Sequence, residues 1–411
     1  MDVAILGCGT AGSAAAIFLS RQGHDVTVYE RVPDPGPVGA GITLQPTGMH
    51  VLARLGLFEE VTRRGARIDR LLCETVGGRA LADLSYDVVS DRFYGLGMHR
   101  GVLFQSLFDE VRRCPRVTMR MGVTGEDLRP ASPPGFQWVL DDQGGRHGPH
   151  ELVVVCDGAR SHLRDDTHIQ KKVAPYPWGA LWFVGRDPDR ACGNVLYQSV
   201  RRNQRMLGLL PTGLGPDGAN ATPLVSLFYS LRADLVPAWR ERGLEAWKKE
   251  CLEMTPKCAF VLDQIHDIDQ VLFAAYHDVD MYPWNTHNVV YLGDAAHAMS
   301  PQLGQGANLA LYDAMVLADA LAATRYLPLA LARYSRTRRA HLGFYQFATR
   351  WLTPFFQGDV EILGLLRDVG MPIGLMLPPF RWYMALSMTG TIEGLFGRLE
   401  LPELPELPEP S

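Results

Sequence analysis

The chain lacks the features that mark nucleic-acid-binding, metal-binding or disulfide-bonded proteins. Its 40 Lys and Arg are outnumbered by 45 Asp and Glu, which gives a formal net charge of -5 and no basic surface for nucleic acid. Its seven cysteines are an odd number and include no Cys-x-x-Cys pair. Neither a disulfide framework nor a structural zinc site is therefore expected, and we predict a reducing compartment and no bound metal.

Long apolar runs are also missing. No uninterrupted apolar stretch reaches about 18 residues, the length that a membrane span needs. At the N-terminus, Asp2 stands where a signal peptide carries positive charge, and Gly7 and Gly9 interrupt the apolar run. The sequence thus predicts a cytoplasmic protein with no transmembrane segment. Apolar residues make up 47% of the 411 residues, enough for more than one core.

What the chain does contain begins with a dinucleotide-binding fingerprint. Residues 3–6 form a short apolar strand, Gly7-Cys8-Gly9-Thr10-Ala11-Gly12 follows directly, and residues 13–22 have a helical pattern. In that context one glycine makes the tight turn, one lets a pyrophosphate approach and one packs helix on strand. A second strand ends at Glu30, which is placed to bind a ribose hydroxyl.

A second glycine-rich segment lies far along the chain, after an apolar strand at 289–292. Asp294 can hydrogen-bond a sugar-like hydroxyl, while Gly304 and Gly306 let backbone N–H groups approach a flat ligand. From Ala307 onward the pattern is helical. A helix that begins at this turn directs its unpaired N–H groups and positive dipole end at the ligand.

A third segment lies between these two. Residues 153–156 form a buried strand that runs into Asp157-Gly158, with Ser161 and Arg164 beyond it. An Asp-Gly turn alone is common after a core strand, but this one stands between the two other motifs. Residues 213–218 also match the glycine pattern, yet they open no helix and are predicted to form a loop. No second dinucleotide-binding fold is therefore expected.

In this order the three segments resemble the FAD motifs of the class A flavoprotein monooxygenases, the family that includes p-hydroxybenzoate and salicylate hydroxylases. Residues 39–48 resemble the family segment beside the flavin ring, although relatives commonly carry Asn where this chain has Thr47. Residues 99–105 resemble the segment that reaches the FAD phosphate and ribityl chain, and the backbone at Val123 would lie against adenine. The matches span residues 1 to about 320. The fingerprint and the resemblance together imply FAD contacts at Gly7, Gly9, Thr10, Ala11, Gly12, Glu30, Arg31, Arg100, Gln105, Val123, Asp157, Gly158, Arg160, Gly293, Asp294, Pro301, Gly304, Gln305, Gly306, Ala307 and Asn308.

The resemblance implies an FAD-dependent monooxygenase that uses NADH or NADPH and O2. With no separate nicotinamide domain, NAD(P)H would meet the flavin transiently, and O2 would then add at flavin C4a. The hydroperoxide would insert one oxygen atom into an aromatic or polycyclic small molecule. A flavin-dependent epoxidase, a Baeyer-Villiger oxygenase and an isoprenoid reductase remain open on the same fold, as does a non-catalytic FAD-binding redox sensor. The sequence leaves monomer and homodimer open.

The predicted fold is α/β, with a Rossmann-like FAD-binding domain, an inserted antiparallel-sheet substrate domain and a C-terminal helical segment. We assign residues 1–75, 97–170 and 275–350 to the FAD-binding domain and 76–96 and 171–274 to the substrate domain. Residues 351–400 form the helical segment, which is a cap, a dimer face or an apolar entrance. Residues 401–411 repeat Leu-Pro-Glu and are expected to be a flexible, exposed tail in which a change at Glu406 is silent.

Residues that contact the substrate are harder to identify. Trp182, Tyr197 and Tyr229 lie on predicted strands of the insert, and the backbone near Pro301 borders the reacting face by resemblance. These four are the pocket candidates, and no side chain stands out as a catalytic base. His297 is expected to be a hydrogen-bonded structural histidine rather than a proton carrier.

Overall fold

The structure is a computed structural model that describes residues 1–37, 39–165, 167–216, 218 and 222–405. Its strands are β1 (Asp2–Leu6), β2 (Asp25–Glu30), β3 (Gly41–Leu44), β4 (Ala66–Ile68), β5 (Arg70–Thr75), β6 (Ala80–Ser85), β7 (Gly95–His99), β8 (Val117–Met121), β9 (Gly125–Pro130), β10 (Gln137–Asp141), β11 (Arg146–His150), β12 (Leu152–Val155), β13 (Gln170–Arg186), β14 (Val195–Arg201), β15 (Arg205–Gly213), β16 (Leu224–Arg232), β17 (Leu272–Tyr282), β18 (Asn285–Thr286), β19 (Val289–Tyr291), β20 (Ile392–Glu393) and β21 (Gly397–Arg398).

The α-helices are α1 (Thr10–Arg21), α2 (Pro46–Arg54), α3 (Phe58–Thr62), α4 (Arg100–Arg113), α5 (Val236–Arg242), α6 (Leu244–Met254), α7 (Ala259–Leu262), α8 (Asp294–His297), α9 (Gly306–Ala322), α10 (Leu327–Phe356), α11 (Glu361–Leu375) and α12 (Pro378–Met388). The predicted α/β class is confirmed.

A six-stranded sheet in the order β18-β19-β12-β1-β2-β8 forms the first layer. Its strands β19, β12, β1, β2 and β8 run parallel, and only β18 at the edge is antiparallel to its neighbour. Residues 152–155 of β12 are fully buried, as a strand covered on both faces requires. The main core lies between this sheet and helices α1, α9 and α10. The parallel order brings the carboxyl ends of β1, β12 and β19 together at one edge.

A seven-stranded sheet in the order β17-β13-β16-β15-β14-β5-β6 forms the substrate layer. Its pairs are antiparallel except β14 with β5, which run parallel. Strand β5 (70–75) lies inside the range 1–75 predicted for the FAD-binding domain, and β17 (Leu272–Tyr282) crosses the predicted boundary at 275. The boundaries therefore shift, because backbone pairing places both strands wholly in the second sheet.

The C-terminal region is helical, and α10 continues through the predicted boundary at 350 without a break. No single helix in the described ranges is long and apolar enough to cross a membrane, although α11 and α12, bent by 107°, meet the length and composition test together. In the described part of the tail Pro402, Glu403 and Pro405 are exposed, while Leu404 packs on the main core and Glu403 pairs with Arg92. Glu406 lies outside the described residues, as does Asp217 of the loop that imitates the glycine fingerprint.

Candidate active site

The three glycines of the turn between β1 and α1 differ in the space around them. Gly7 has a φ of +99°, which favours glycine, and a Cβ there would lie 2.6 Å from the Cys156 carbonyl oxygen. A Cβ at Gly12 would lie 2.0 Å from the Gly7 carbonyl oxygen, so both glycines are required by packing. At Gly9 a Cβ would meet no described atom within 4 Å. Gly9 therefore faces open space at the carboxyl edge of the sheet.

Helix α1 begins at Thr10, immediately after this open space. Its N-cap is Gly9, and no side chain in the described structure caps its first amides, including those of Ala11 and Gly12. The first amides of a helix have no partner within the helix, and together with the helix dipole they form an anion site. The turn can therefore hold a phosphate group.

Glu30 ends β2 beside this turn. Its carboxylate accepts hydrogen bonds from the Cys8 amide at 2.8 Å and the Val32 amide at 2.9 Å, and its carbonyl accepts one from the Val123 amide at 3.0 Å. A carboxylate has about four acceptor positions, so two protein bonds leave room for ligand hydroxyls. Arg31 is exposed next to Glu30. The structure thus brings Glu30 and Val123 together where the adenosine end was predicted.

The second glycine-rich segment lies at the same edge. A Cβ at Gly293 would be 3.1 Å from the Ala11 Cβ, so the two motifs are neighbours. Asp294 is exposed at the start of α8. The 3-10 turn Pro301–Leu303 then leads into Gly304, whose φ is +61°.

Helix α9 begins at Gly306 and has no side-chain cap among the described residues. At both Gly304 and Gly306 a Cβ would meet no described atom within 4 Å. A second uncapped helix start therefore faces open space, and Ala307 lies in its first turn. The backbone here can approach a flat ring, and the helix dipole can stabilise negative charge on it.

The side chains of Asn308 and Gln305 in this segment form hydrogen bonds within the protein. The Asn308 amide donates to the carbonyls of Thr43 and Gly304, both at 3.1 Å, and its oxygen accepts from the Gln45 amide at 2.8 Å. Gln305 donates to the Met388 carbonyl at 3.0 Å. Asn308 therefore fixes the start of α9 against the 43–45 segment, and any ligand contact of these two residues is left mainly to their backbone.

The Asp-Gly turn after β12 joins the other two motifs. The Asp157 Oδ1 is buried and has no hydrogen-bond partner among the described residues, and burial raises the pKa of this carboxyl. Arg164 is buried and donates to the Ala295 carbonyl at 2.6 Å and to the Ala159 carbonyl at 2.9 Å, which ties this turn to the second motif. Gly158 has a φ of +92° and Arg160 is exposed. The unmet acceptor of Asp157 fits a hydroxyl donor of a ligand.

Behind the second motif lies a buried charge network centred on Asp313. Its carboxylate accepts the Gly293 amide at 2.8 Å, pairs with His297 at 2.6 Å and pairs with Arg338 at 2.7 Å. Burial alone would raise the pKa of Asp313, but His297 and Arg338 outweigh it and lower the pKa to about 2. His341 contacts Arg338, and burial together with that cation holds the pKa of His341 well below its usual value. His297 thus has the structural environment predicted for it.

Arg100 and Gln105, two further predicted FAD contacts, lie on helix α4. Arg100 begins the helix, its amide donates to the Ala40 carbonyl at 3.0 Å, and a Cβ at Gly39 would lie 3.1 Å from its Cδ. Arg100 is exposed and Gln105 is half-buried. Arg100 thus adjoins the segment predicted to pass beside the flavin ring. Within that segment Thr47 is buried, with only a long 3.5 Å bond from its hydroxyl to the Thr389 carbonyl.

The register of the seven-stranded sheet separates the aromatic pocket candidates. Tyr197 and Tyr229 lie on the outer face, where Tyr197 donates to Thr255 at 3.2 Å and Tyr229 donates to Glu250 at 2.6 Å. Both belong to the core beneath α5–α7. Three helices cover the face that carries Tyr197 and Tyr229, so these two pocket candidates pack in the core and not on the inner face.

Trp182 lies on the opposite, inner face, in register with Phe228. The two rings are 5.2 Å apart between centroids, and the indole donates to the Tyr276 hydroxyl at 3.3 Å. All three side chains are only half-buried. On the same face, Ser226 and Leu210 lie against Gly41, where a Cβ would be 2.5 Å from the Ser226 Oγ. The inner face therefore looks onto the strand β3 that leads into the flavin-flanking segment.

Pro301 is exposed, and the residue before it is held in place. The Ser300 Oγ lies 3.2 Å from the Thr353 Oγ1 of α10. Among the described residues, no group of three or more His, Cys, Asp or Glu could hold a metal ion.

The residues present fit FAD. At one sheet edge lie two helix starts without side-chain caps, three glycines that face open space and the Glu30 carboxylate, which has acceptor positions left. The buried Asp157 Oδ1, which has no hydrogen-bond partner among the described residues, lies at the same edge. Sequence reasoning missed Asp313 and Arg338. Asp313 lies between the apolar runs Leu309–Leu311 and Ala314–Ala318 of helix α9, which was a usable signal, because a buried charge requires a partner.

Comparison with known proteins decides the family. Residues 1–342 match the family described as FAD binding domain. The chain belongs to this family.

Proteins that resemble the chain over most of its length include enzymes. It is 29% identical to the aurachin C monooxygenase/isomerase of Stigmatella aurantiaca, over 82% of this chain and 85% of that protein. It is 27% identical to the 3-hydroxybenzoate 6-hydroxylase of Polaromonas naphthalenivorans (strain CJ2), over 94% and 95%. The crystal structure of PqsL, a probable FAD-dependent monooxygenase from Pseudomonas aeruginosa, superimposes with a TM-score of 0.76 at 25% identity, covering 91% of this chain and 99% of PqsL.

These findings confirm the predicted enzyme class. The chain is an FAD-dependent monooxygenase of the aromatic hydroxylase type, with FAD as its cofactor and NAD(P)H as the co-substrate typical of such enzymes.

Proposed function

We propose that the enzyme inserts one oxygen atom from O2 into an uncharged aromatic small molecule, which binds between the inner face of the seven-stranded sheet and FAD. The observation that carries this proposal is the half-buried cluster of Trp182, Phe228 and Tyr276, which lies on the sheet face whose Ser226 packs against Gly41 of β3. Aromatic rings of this kind bind a flat apolar ligand by stacking and edge contacts.

We propose that the predicted residues contact four parts of FAD. Gly9 and the first amides of α1 bind the pyrophosphate, and Glu30 accepts ribose hydroxyls. Asp157 and Asp294 hold hydroxyls of the ribityl chain, while Gly304, Gly306 and Ala307 face the pyrimidine end of the flavin. When bound, FAD supplies the redox chemistry, in which NADH or NADPH is oxidised and O2 is activated.

The substrate's charge follows from the side chains of the inner face. The inward positions Ala180, Trp182, Leu210, Ser226 and Phe228 carry apolar or hydroxyl side chains, and none of these five bears a charge. Burying a substrate carboxylate against them would cost several kcal/mol without a paired cation. An uncharged ring therefore fits better than a benzoate.

Exclusion of water is the other task of the chain's own residues. The inner face is closed on its far side by Phe356 and Met388, which pack with Leu210 in one apolar cluster. A dry pocket protects a reactive oxygen donor from decay in water. The Ser300–Thr353 contact holds the turn that begins at Pro301 and so fixes one wall of the proposed pocket.

A ligand screen tests the proposal. FAD-loaded enzyme is mixed with NADH or NADPH and with matched pairs of phenolic or polycyclic ligands that differ only in a carboxylate. We expect the uncharged member to accelerate NAD(P)H oxidation at least tenfold more than its carboxylated partner. Trp182→Ala should raise the KM of an accelerating ligand, whereas Tyr197→Phe on the outer face should not. A consistent preference for the carboxylates would contradict the assignment of the inner face.

A further inference from the structure

Helix α11 exposes a continuous apolar stripe. The side chains of Ile362, Leu365, Leu366, Val369, Ile373 and Met376 are between 56% and 77% exposed. Their spacing of three and four residues places them on one side of the helix. A soluble monomer's largest apolar patch is typically about 300–600 Å², and scattered single exposures need no explanation. A continuous apolar stripe along a 15-residue helix does need an explanation.

Helix α12 extends this surface around a bend. Its first turns expose Phe380 and Trp382, each 39% exposed, and the two helices meet at 107°. We call the two helices, residues 361–388, the apolar hairpin. Aromatic residues beside an aliphatic stripe are the arrangement found at the headgroup level of a membrane.

Within the apolar hairpin itself, only one charge is left once the ion pairs of the described residues are counted. Glu361 pairs with Arg202 at 2.7 Å, and Asp368 pairs with Arg367 at 2.6 Å. From residue 369 to 392 Arg381 is the only charged residue. Nearby, Arg79 donates to the Asp368 carbonyl at 2.7 Å. Within the described ranges, neither Arg79 nor Arg381 pairs with a carboxylate. The uncompensated charge is therefore positive, and it complements an anionic surface.

The inner side of the apolar hairpin packs toward the proposed substrate pocket. Met371, Leu375 and Met384 contact the cluster that contains Phe356 and Leu210, and Phe228 of the inner sheet face packs on the same cluster. The same two helices thus face outward with an apolar stripe and inward toward the wall of the pocket.

We propose that the apolar hairpin docks on an anionic lipid bilayer at the headgroup level, and that the enzyme takes an apolar aromatic substrate from that surface. A second copy of the chain fits less well, because a two-fold interface centred on this patch would bring Arg381 toward its own copy, and the described acids of the apolar hairpin are already paired. The docking stands on the exposed surface alone, while the delivery of substrate rests on the proposed function.

Vesicle flotation tests the docking. The full-length, FAD-loaded protein is mixed with vesicles of phosphatidylcholine alone or with phosphatidylglycerol, and the fraction that floats is measured without any substrate. We expect binding to the anionic vesicles, and at least a tenfold loss of binding in Leu366→Glu/Ile373→Glu. Leu329→Glu, at a leucine 51% exposed on α10, is the matched control and should float like the wild type. Arg381→Gln should weaken binding to the anionic vesicles only.

Three outcomes would overturn the docking. The first is wild-type protein that floats with neither vesicle, and the second is a double variant that floats as well as the wild type. The third is a stable dimer, seen by light scattering after size exclusion, that Leu366→Glu/Ile373→Glu dissociates. If flotation behaves as expected but no aromatic ligand stimulates NAD(P)H oxidation, the proposed function fails and the docking stands.

Discussion

At the scale of single residues, the open space beside a glycine is more informative than the glycine itself. Gly9 and Gly12 belong to one fingerprint, yet only Gly12 is needed for the protein's own packing. The same distinction applies at Gly306, where a Cβ would meet no described atom within 4 Å. A side chain at such a position disturbs a ligand before it disturbs the fold.

Gly306→Val is therefore expected to fold but to lose FAD, because its β-branched side chain would occupy the space proposed for the flavin ring. Bound FAD, read from the absorbance of the purified protein, should fall at least tenfold while the far-UV circular dichroism is unchanged. Gly343→Val is the control, since a Cβ there also meets no described atom but Gly343 lies on α10, away from the sheet edge. Full FAD content in Gly306→Val would remove this loop from the site.

Glu30→Ala should weaken FAD binding through loss of charge-assisted hydrogen bonds to the ribose. Such bonds contribute about 1.5–3 kcal/mol, which corresponds to an increase of Kd of roughly 10- to 150-fold. Because Glu30 also accepts the Cys8 amide, thermal unfolding of the FAD-free variant must be measured to separate loop damage from lost binding. Asp25→Ala, at the exposed start of the same strand, is the control. An unchanged Kd in Glu30→Ala would show that another group holds the ribose.

At the scale of elements, helix α9 combines two tasks. Its first turn faces the open space at the sheet edge, and one turn further Asp313 fixes the Gly293 turn from behind through its carboxylate. Arg338 depends on that carboxylate for charge compensation, and His297 hydrogen-bonds to it. The position of the second FAD motif is thus coupled to a buried ion network between α9 and α10.

Asp313→Asn should destabilise the protein by about 3–5 kcal/mol, because it leaves Arg338 buried without a carboxylate. Chemical denaturation measures the change in the free energy of unfolding. Asp319→Asn, on the same helix but in an exposed pair with Arg54, should cost about 1 kcal/mol or less. Equal effects of the two variants would show that the Asp313 network contributes nothing special.

The same carboxylate predicts a pH dependence. The pKa of Asp313 is about 2 in the folded protein, below the value of about 3.9 in an unfolded chain. Its contribution to stability is therefore fully present above pH of about 4 and is lost as the pH falls toward 2. Wild-type protein should lose more stability than Asp313→Asn across that window. A parallel loss in both proteins would assign the acid sensitivity to other groups.

Much of the element scale is predictable from the chain alone. The first two strands, the glycine turn and the start of α9 follow from local pattern, since apolar runs and glycines act within a few residues. The pairing of β5 with β14 is not predictable in this way, because it joins residues 70–75 to residues 195–200. The Asn308 contacts likewise join α9 to residues 43–45, which no local pattern reveals.

At the scale of the whole molecule, the face of a sheet that meets the ligand is decided by what covers the other face. Alternation along β16 puts Tyr229 and Phe228 on opposite faces, but it cannot say which is covered. Helices α5–α7 cover the outer face, and they lie at residues 236–262, beyond the strands they pack on. Trp182 therefore remains a proposed pocket residue, while Tyr197 and Tyr229 lie in the core.

The predicted FAD contacts come from segments as far apart as residues 7 and 308, and the fold places them at one edge of the six-stranded sheet. The proposed substrate face belongs to the other sheet. The substrate must therefore contact the ring-binding face of the second sheet while it reacts at FAD.

The most direct test uses isotopic oxygen with the aromatic ligand that best accelerates NAD(P)H oxidation. The FAD-loaded enzyme is supplied with that ligand, NAD(P)H and 18O2, and the product is examined by mass spectrometry. We predict one 18O atom in each product molecule and one NAD(P)H consumed for each product formed. Ligand-stimulated NAD(P)H oxidation that yields only hydrogen peroxide with every accelerating ligand, or a product whose new oxygen comes from water, would contradict the account.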